Sequence, residues 1–349
     1  MNRLLFVSIF IAINPCVATV TAPKFKHWFP TYGFIFENFL QNNCSAEYHV
    51  YLRGERNNSN IDWNAGAGYK NQLVQPVVEC ILQSCSELMK ADMGSCSVLL
   101  GLAPSILAIL GPSVEEISLL SIVGGRRFYA LLLAAGSPAV FPVRSFENRD
   151  PLRALAEFKG HSRYFELSFP AELVIATIEY ILTLAAVANV LTLTHQLASQ
   201  SILAIAPETT YIPWLWVFIG VLLHIIGSFT FHLHVSVTRE RTRLSLATWF
   251  RPLYTPWFEH GTVRTETQME TYLFIFMSWF MSVGTVLHVI FGTLMFSALL
   301  FVAVEDGLMI IGRFMASVVL CRIILLFEIV RLREVFNSGR QEREERIEM

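Results

Sequence analysis

Four stretches of the chain, 173–193, 214–235, 272–304 and 307–330, are apolar around their whole helical circumference, with only isolated polar positions. Each is long enough to cross a bilayer core of about 30 Å as a helix, which takes roughly 20 residues. Two weaker apolar segments, 97–110 and 128–143, precede them. Between these stretches lie connections that alternate in Lys and Arg. The 144–171 connection carries Arg144, Arg149, Arg153, Lys159 and Arg163, and the 194–213 connection carries none. The 236–271 connection carries Arg239, Arg241, Arg243, Arg251 and Arg264, the turn at Glu305 and Asp306 none, and the tail Arg331, Arg333, Arg340, Arg343 and Arg346. Basic loops stay in the cytosol, so the order is in, out, in, out, in.

The first residues read as a secretory signal over 1–18: Arg3, an apolar core over 4–13, then Cys16-Val17-Ala18 as a small-residue cleavage site. An exported amino terminus and a cytosolic 144–171 loop require an odd number of crossings between them. The expectation is one, at 97–110, with 113–143 on the cytosolic side and 128–143 interfacial or re-entrant. The reverse choice, with 128–143 crossing, stays open, because 97–110 is short and contains Pro104. The expected architecture is an all-α membrane protein, a helical bundle of about five transmembrane helices with a small disulfide-containing extracytosolic N-terminal region. Its parts are the signal peptide (1–18), the extracytosolic region (19–95), the first crossing with the interfacial or re-entrant segment (96–143), a cytosolic loop (144–171), a four-helix transmembrane region (172–335) and a cytosolic tail (336–349). The amino terminus is then extracytosolic, the carboxyl terminus cytosolic, and the plasma membrane the expected destination along the secretory pathway.

Composition agrees with this frame. Over 349 residues, 54% are hydrophobic and only 15% charged, where soluble domains carry about 25% charge. The net charge of -2 and the lack of a basic block leave no case for a nucleic-acid partner. The lipid bilayer is the one partner implied. In an oxidising compartment the even set Cys44, Cys80, Cys85 and Cys96 predicts two disulfides of undefined connectivity. The sequons at Asn43 and Asn57 are glycosylation candidates in the same region. An outer region of this size has little core of its own and needs bridges or packing on the membrane helices.

Chemistry must then come from polar residues inside the spans, each of which is costly there. Glu179 and Arg322 lie at similar distances from the cytosolic ends of their crossings, which predicts that they pair, either as a structural ion pair or within an ion path. Arg313, near an outer end, is expected to snorkel to the interface. Gly220, His224, Ser228 and His232 recur every four residues, as do Gly284, His288 and Gly292, so each set shares one helix face. His224 and His288 sit near the middle of their spans. Neutral imidazoles bonded across a small-residue interface are the plain reading; a proton relay, a metal site and haem ligation are the sharper ones. No G-x-S-x-G, H-E-x-x-H, P-loop or G-x-G-x-x-G motif is present. No cofactor and no catalytic residue is therefore assigned, and the chemistry leans away from an enzyme. Ser113 followed by Glu115 and Glu116 reads as a capped helix start. Val123-Gly124-Gly125-Arg126-Arg127 reads as a turn with a basic flag.

The runs Gly101-Leu102-Ala103-Pro104-Ser105-Ile106-Leu107, Leu110-Gly111-Pro112-Ser113-Val114-Glu115-Glu116, Gly136-Ser137-Pro138-Ala139-Val140 and Arg144-Ser145-Phe146-Glu147-Asn148-Arg149-Asp150-Pro151 resemble those of a group of uncharacterised multi-pass membrane proteins of filamentous fungi. The likeness spans most of 80–335 and implies a fungal membrane protein. It attaches no chemistry to any residue. The function expected is a non-enzymatic surface or secretory-pathway membrane protein with a sensing or scaffolding role. The alternatives are a transporter or channel with Glu179, Arg322, His224, His288 and His232 along a polar path, and a haem-binding membrane oxidoreductase.

Overall fold

The computed structural model describes residues 24–53, 73–141, 169–238 and 264–348. The signal segment 1–18, the Asn57 sequon and most of the basic 144–171 and 236–271 loops lie outside the described residues. In chain order the helices are α1 (Pro30–Asn38, continued by a π turn Phe39–Asn43), α2 (Ser45–Arg53), α3 (Val74–Ser84), α4 (Glu87–Leu110), α5 (Val114–Ile122), α6 (Arg127–Gly136), α7 (Phe169–Gln200), α8 (Ile212–His234), α9 (Tyr272–Ser297) and α10 (Val304–Glu348). Two short antiparallel ladders join turns. Strand β1 (Ile202–Leu203) pairs with β4 (Leu299–Leu300), and β2 (Val235–Thr238) pairs with β3 (Arg264–Thr267).

Among the described residues five helices are long and apolar enough to cross a membrane: α4, α7 over Leu173–Gln200, α8, α9 and α10 over Val304–Arg333. Their outward faces carry large apolar side chains, among them Ile178, Ile181, Phe218, Ile225, Phe276, Trp279, Leu287 and Ile323, all at least half or nearly half exposed. A contiguous apolar surface of this kind is unstable in water and matches hydrocarbon. The chain is an integral membrane protein with an all-helical bundle.

Paired residues fix the relative depths. Ser97 Oγ donates to the Leu299 carbonyl, Gly101 lies against Ser297, and Pro104 against Gly292. Helix α4 therefore runs antiparallel to α9 and stops about halfway along it, at Leu110. Helix α5 covers the remaining depth, with Val114 against Gly227 and Leu119 and Val123 clustered with Phe231, Val235, Phe274 and Leu332. Helices α4 and α5 thus follow one another along α9 and α8, with a break between them at Gly111–Pro112. Within the 113–143 segment, residues 113–122 are buried in the bundle, where Ile117, Leu119 and Leu120 have their packing partners. Helix α6 then re-enters from the same end, passing Tyr129 against Thr183 and bringing Gly136 against Ala186 and Cys321.

The N-terminal helices form a cap on the opposite end. Phe36, Val77 and Ile81 cluster with Ile202 and Phe301 from the α7–α8 and α9–α10 turns. Lys24 Nζ donates to the carbonyls of Ala198 and Ser201 at 3.2 and 3.5 Å, and the Tyr32 hydroxyl donates to Asp92 at 3.0 Å. One bridge, Cys44–Cys80, ties α3 to the π turn that precedes α2. The expectation of two bridges is corrected, since Cys85 and Cys96 are buried free thiols. Between them α4 rises at about 1.5 Å per residue for three turns, whereas bridged Cα atoms lie within about 7 Å. Asn43 is exposed beside the bridge and donates to Ser84 Oγ at 3.3 Å.

Candidate functional site

Two dipeptides make the centre of the bundle. Pro112 disfavours helical backbone at Gly111, which is extended at φ -76° and ψ 172°, and Pro138 does the same to Ser137 at φ -134° and ψ 80°. Helix α5 restarts at once through a capping box in which Ser113 and Glu116 bond each other's backbone N–H. The two interruptions meet. A Cβ on Gly111 would lie 3.0 Å from Ser137 Oγ and 3.4 Å from the Ala139 carbonyl. Unwound backbone is tolerated at membrane depth only where protein or a wet cavity surrounds it, and its unpaired carbonyls then become ligands.

The histidine faces converge on this point. His288 Nε2 lies 3.0 Å from the Pro138 carbonyl. A carbonyl only accepts, so Nε2 carries the proton and Nδ1 is left as an acceptor. Its ring stacks on Trp216 with centroids 5.4 Å apart and planes within 5°. The small residues do let backbone approach, but the guest is the 137–138 segment: a Cβ on Gly220 would overlap the Pro138 carbonyl. Gly292 is needed in turn for Trp216 and Pro104. His224 is buried one turn from Gly220, and neither ring nitrogen has a hydrogen-bond partner. It lines a pocket of about 430 Å³ between α5, α6 and α8, together with Ser121, Arg127, Ala130, Ser228 and His232. A haem held between His224 and His288 does not fit, because the Nε2 of His288 is committed to Pro138 and its ring is covered by Trp216. Among the described residues no three His, Cys, Asp or Glu side chains converge as a metal site.

Glu179 and Arg322 do not pair, which corrects the expectation from their depth. Glu179 faces Arg126 at 3.5 Å, and Arg126 holds Glu328 at 2.6 Å, with all three side chains buried. Arg322 pairs instead with Glu116 on α5. Equal depth did not decide the matter, because the α5–α6 hairpin brings its own charges between α7 and α10. The guanidinium of Arg126 also sits 4.2 Å from the Tyr129 ring centroid. Gly125, at φ 71°, turns the chain so that Arg126 points inward while Arg127 stays exposed. The expected basic flag is thus half flag and half core. Arg313 is partly buried, and its Nε, Nη1 and Nη2 donate to Asn189, Gln196 and Thr192 at 3.0, 2.6 and 3.1 Å, clamping α10 to α7.

Sequence reasoning missed Arg126, Glu328, Ser137 and Pro138. Glu328 was visible as an acid within the last apolar stretch. Ser137-Pro138 matched Gly111-Pro112 as a second helix-breaking pair. Arg126 gave no signal of its own, since burial of one arginine in a pair depends on the turn. His232 lies exposed two turns below His224 on the same face. No protein-family model, curated protein or solved structure matches this chain.

Proposed function

We propose that the chain is a transporter-class membrane protein whose solute site is the junction of the interrupted first crossing and the re-entrant α6. The observation that carries this reading is the contact of two non-helical breaks, Gly111–Pro112 and Ser137–Pro138, beside two buried histidines at mid-bundle. Discontinuous helices place carbonyls and helix ends where a solute can replace its water, and two packed halves can rock about such a point. The buried Ser137 hydroxyl and His224 ring nitrogens, which lack partners, supply polar groups for a guest. The Arg126–Glu179–Glu328 cluster holds the re-entrant hairpin to α7 and α10. We place the N-terminal cap outside the cytosol and the α10 tail inside it, on the alternation of basic loops, with the chain delivered by its leading segment to the cell surface, glycosylated at Asn43 and Asn57, and of the fungal group it resembles. A sensing or scaffolding role is the second reading, favoured by a bridged cap that grips two inter-helix turns at once.

Thiol accessibility tests the first reading. In a chain with Cys85, Cys96 and Cys321 replaced, Ser137→Cys and Ser228→Cys are expected to react with a charged, membrane-impermeant thiosulfonate in native vesicles, while Leu287→Cys on the lipid face does not. Protection of both cysteines from reagent on either side of the membrane would remove the transport reading.

A further inference from the structure

The pocket beneath His224 has a polarity that names its guest. It runs along α8 from His232 at the end of the bundle to His224 in the middle, two residues separated by eight positions, or about 12 Å of helix. Its walls are apolar, formed by Ile117, Leu131, Ile225 and Phe229, and the last three are exposed on the lipid side, so the groove opens sideways into hydrocarbon. At the outer end of this groove, at the bundle's rim, stand two sources of positive potential and a histidine. Arg127 is exposed with no ion pair among the described residues, His232 is exposed beside it, and the N-terminus of α6 has no side-chain cap. No carboxylate lines the groove among the described residues. At the closed end His224 is 1% exposed and neither of its nitrogens has a hydrogen-bond partner. A buried imidazole without a partner is costly, and a guest that bonds it removes the cost.

We infer that this groove binds a free hydroxylated fatty acid of medium chain length, with its carboxylate at Arg127 and the α6 N-terminus, its chain along α8, and its distal hydroxyl at His224. The spacing fits an extended chain of about ten carbons over the roughly 12 Å between the two histidines. A plain fatty acid satisfies the rim and the walls but leaves His224 bare; a fatty alcohol satisfies neither the rim nor the guanidinium. Entry is lateral, from the leaflet that Arg127 and His232 adjoin. The inference rests on the proposed solute site for its role in transport, but binding is separable from movement.

Equilibrium dialysis of radiolabelled 10-hydroxydecanoate, decanoate and 1-decanol against the full chain in phosphatidylcholine nanodiscs, with empty nanodiscs subtracted, tests it. Saturable binding is expected in the order hydroxy acid, acid, alcohol, with up to about tenfold between the two acids, the worth of one hydrogen bond. The combined change Arg127→Gln, His232→Gln is expected to weaken both acids tenfold or more and to leave the alcohol unchanged. His224→Leu is expected to abolish the preference for the hydroxy acid while decanoate binding persists. Ile225→Trp, which fills the groove from α8 without touching either polar end, is expected to remove saturable binding of both acids, and it decides the question if His224→Leu fails to fold. No saturable binding to the wild-type chain, or wild-type binding by a folded Ile225→Trp chain, overturns the inference. Binding retained with Ser137→Cys and Ser228→Cys sealed from reagent keeps the inference and removes the transport reading alone; accessible cysteines without binding do the reverse.

Discussion

Lys24 shows how far one side chain's surroundings depart from what its type suggests. Its ammonium is buried under the cap among carbonyls of the α7–α8 turn, and burial pushes its pKa from 10.5 down to about 8. The folded chain therefore holds this proton less tightly than the unfolded chain does. The penalty is complete below pH 8 and fades as pH rises from 8 to 10.5, so stability increases across that window. Thermal unfolding of the wild-type chain is expected to shift upward relative to Lys24→Met over this range; parallel pH curves for the two chains would show that the amine is not desolvated. Glu179 illustrates the same lesson inside the bundle. Its depth was legible in the sequence, but its partner was a loop arginine rather than the helical Arg322 at matching depth. A charge finds whichever opposite charge the backbone presents, and a turn at Gly125 presented Arg126.

Elements were legible where a period or a punctuating residue made them so. The four long apolar stretches became α7 to α10, with α10 running on past its apolar part to Glu348, and the Ser113 cap with Glu116 formed as expected. The stacking of α5 beyond the end of α4 was harder to see, because α4 alone is long and apolar enough to span, and nothing in the linear pattern sets the 9 residues of α5 against α8. Its geometry depends on the glycines beside it. A methyl at Gly220 overlaps the Pro138 backbone, whereas one at Gly94 meets nothing within 4 Å. Gly220→Ala is expected to destabilise the chain by about 1–3 kcal/mol, the usual cost of overpacking. Gly94→Ala is expected to be neutral or to stabilise by up to about 1 kcal/mol through helix propensity. Chemical unfolding in mixed micelles separates the two; equal effects would mean that the 137–138 segment does not rest on α8.

At the scale of the whole molecule, contacts sort the chain into two ends. The cap, the α7–α8 turn and the α9–α10 turn share one end through a common apolar cluster. The α5–α6 turn, the β2–β3 ladder and the last part of the α10 span share the other, where Val123, Val235, Phe274 and Leu332 cluster. This division is the one that basic residues predict, reached without reference to charge. Single cysteines at Ser86 and Ile205 are expected to label from one side of sealed vesicles, and cysteines at Gln268 and beyond Arg340 from the other. Labelling of Ile205→Cys and Gln268→Cys from the same side would break both the charge argument and the bundle.

Hydrophobic runs, signalled by residue type alone, determined that this protein lies in a membrane, with about five crossings and an N-terminal region needing support. Those properties follow from the solvation of each segment separately, so a linear pattern carries them. Which cysteines bridge, which charges meet, and where the two Pro-broken helices touch are properties of pairs distant in sequence. They depend on how α6 folds back against α7, α8 and α10, and only packing in three dimensions brings Ser137-Pro138 to Gly111, and its carbonyl to His288.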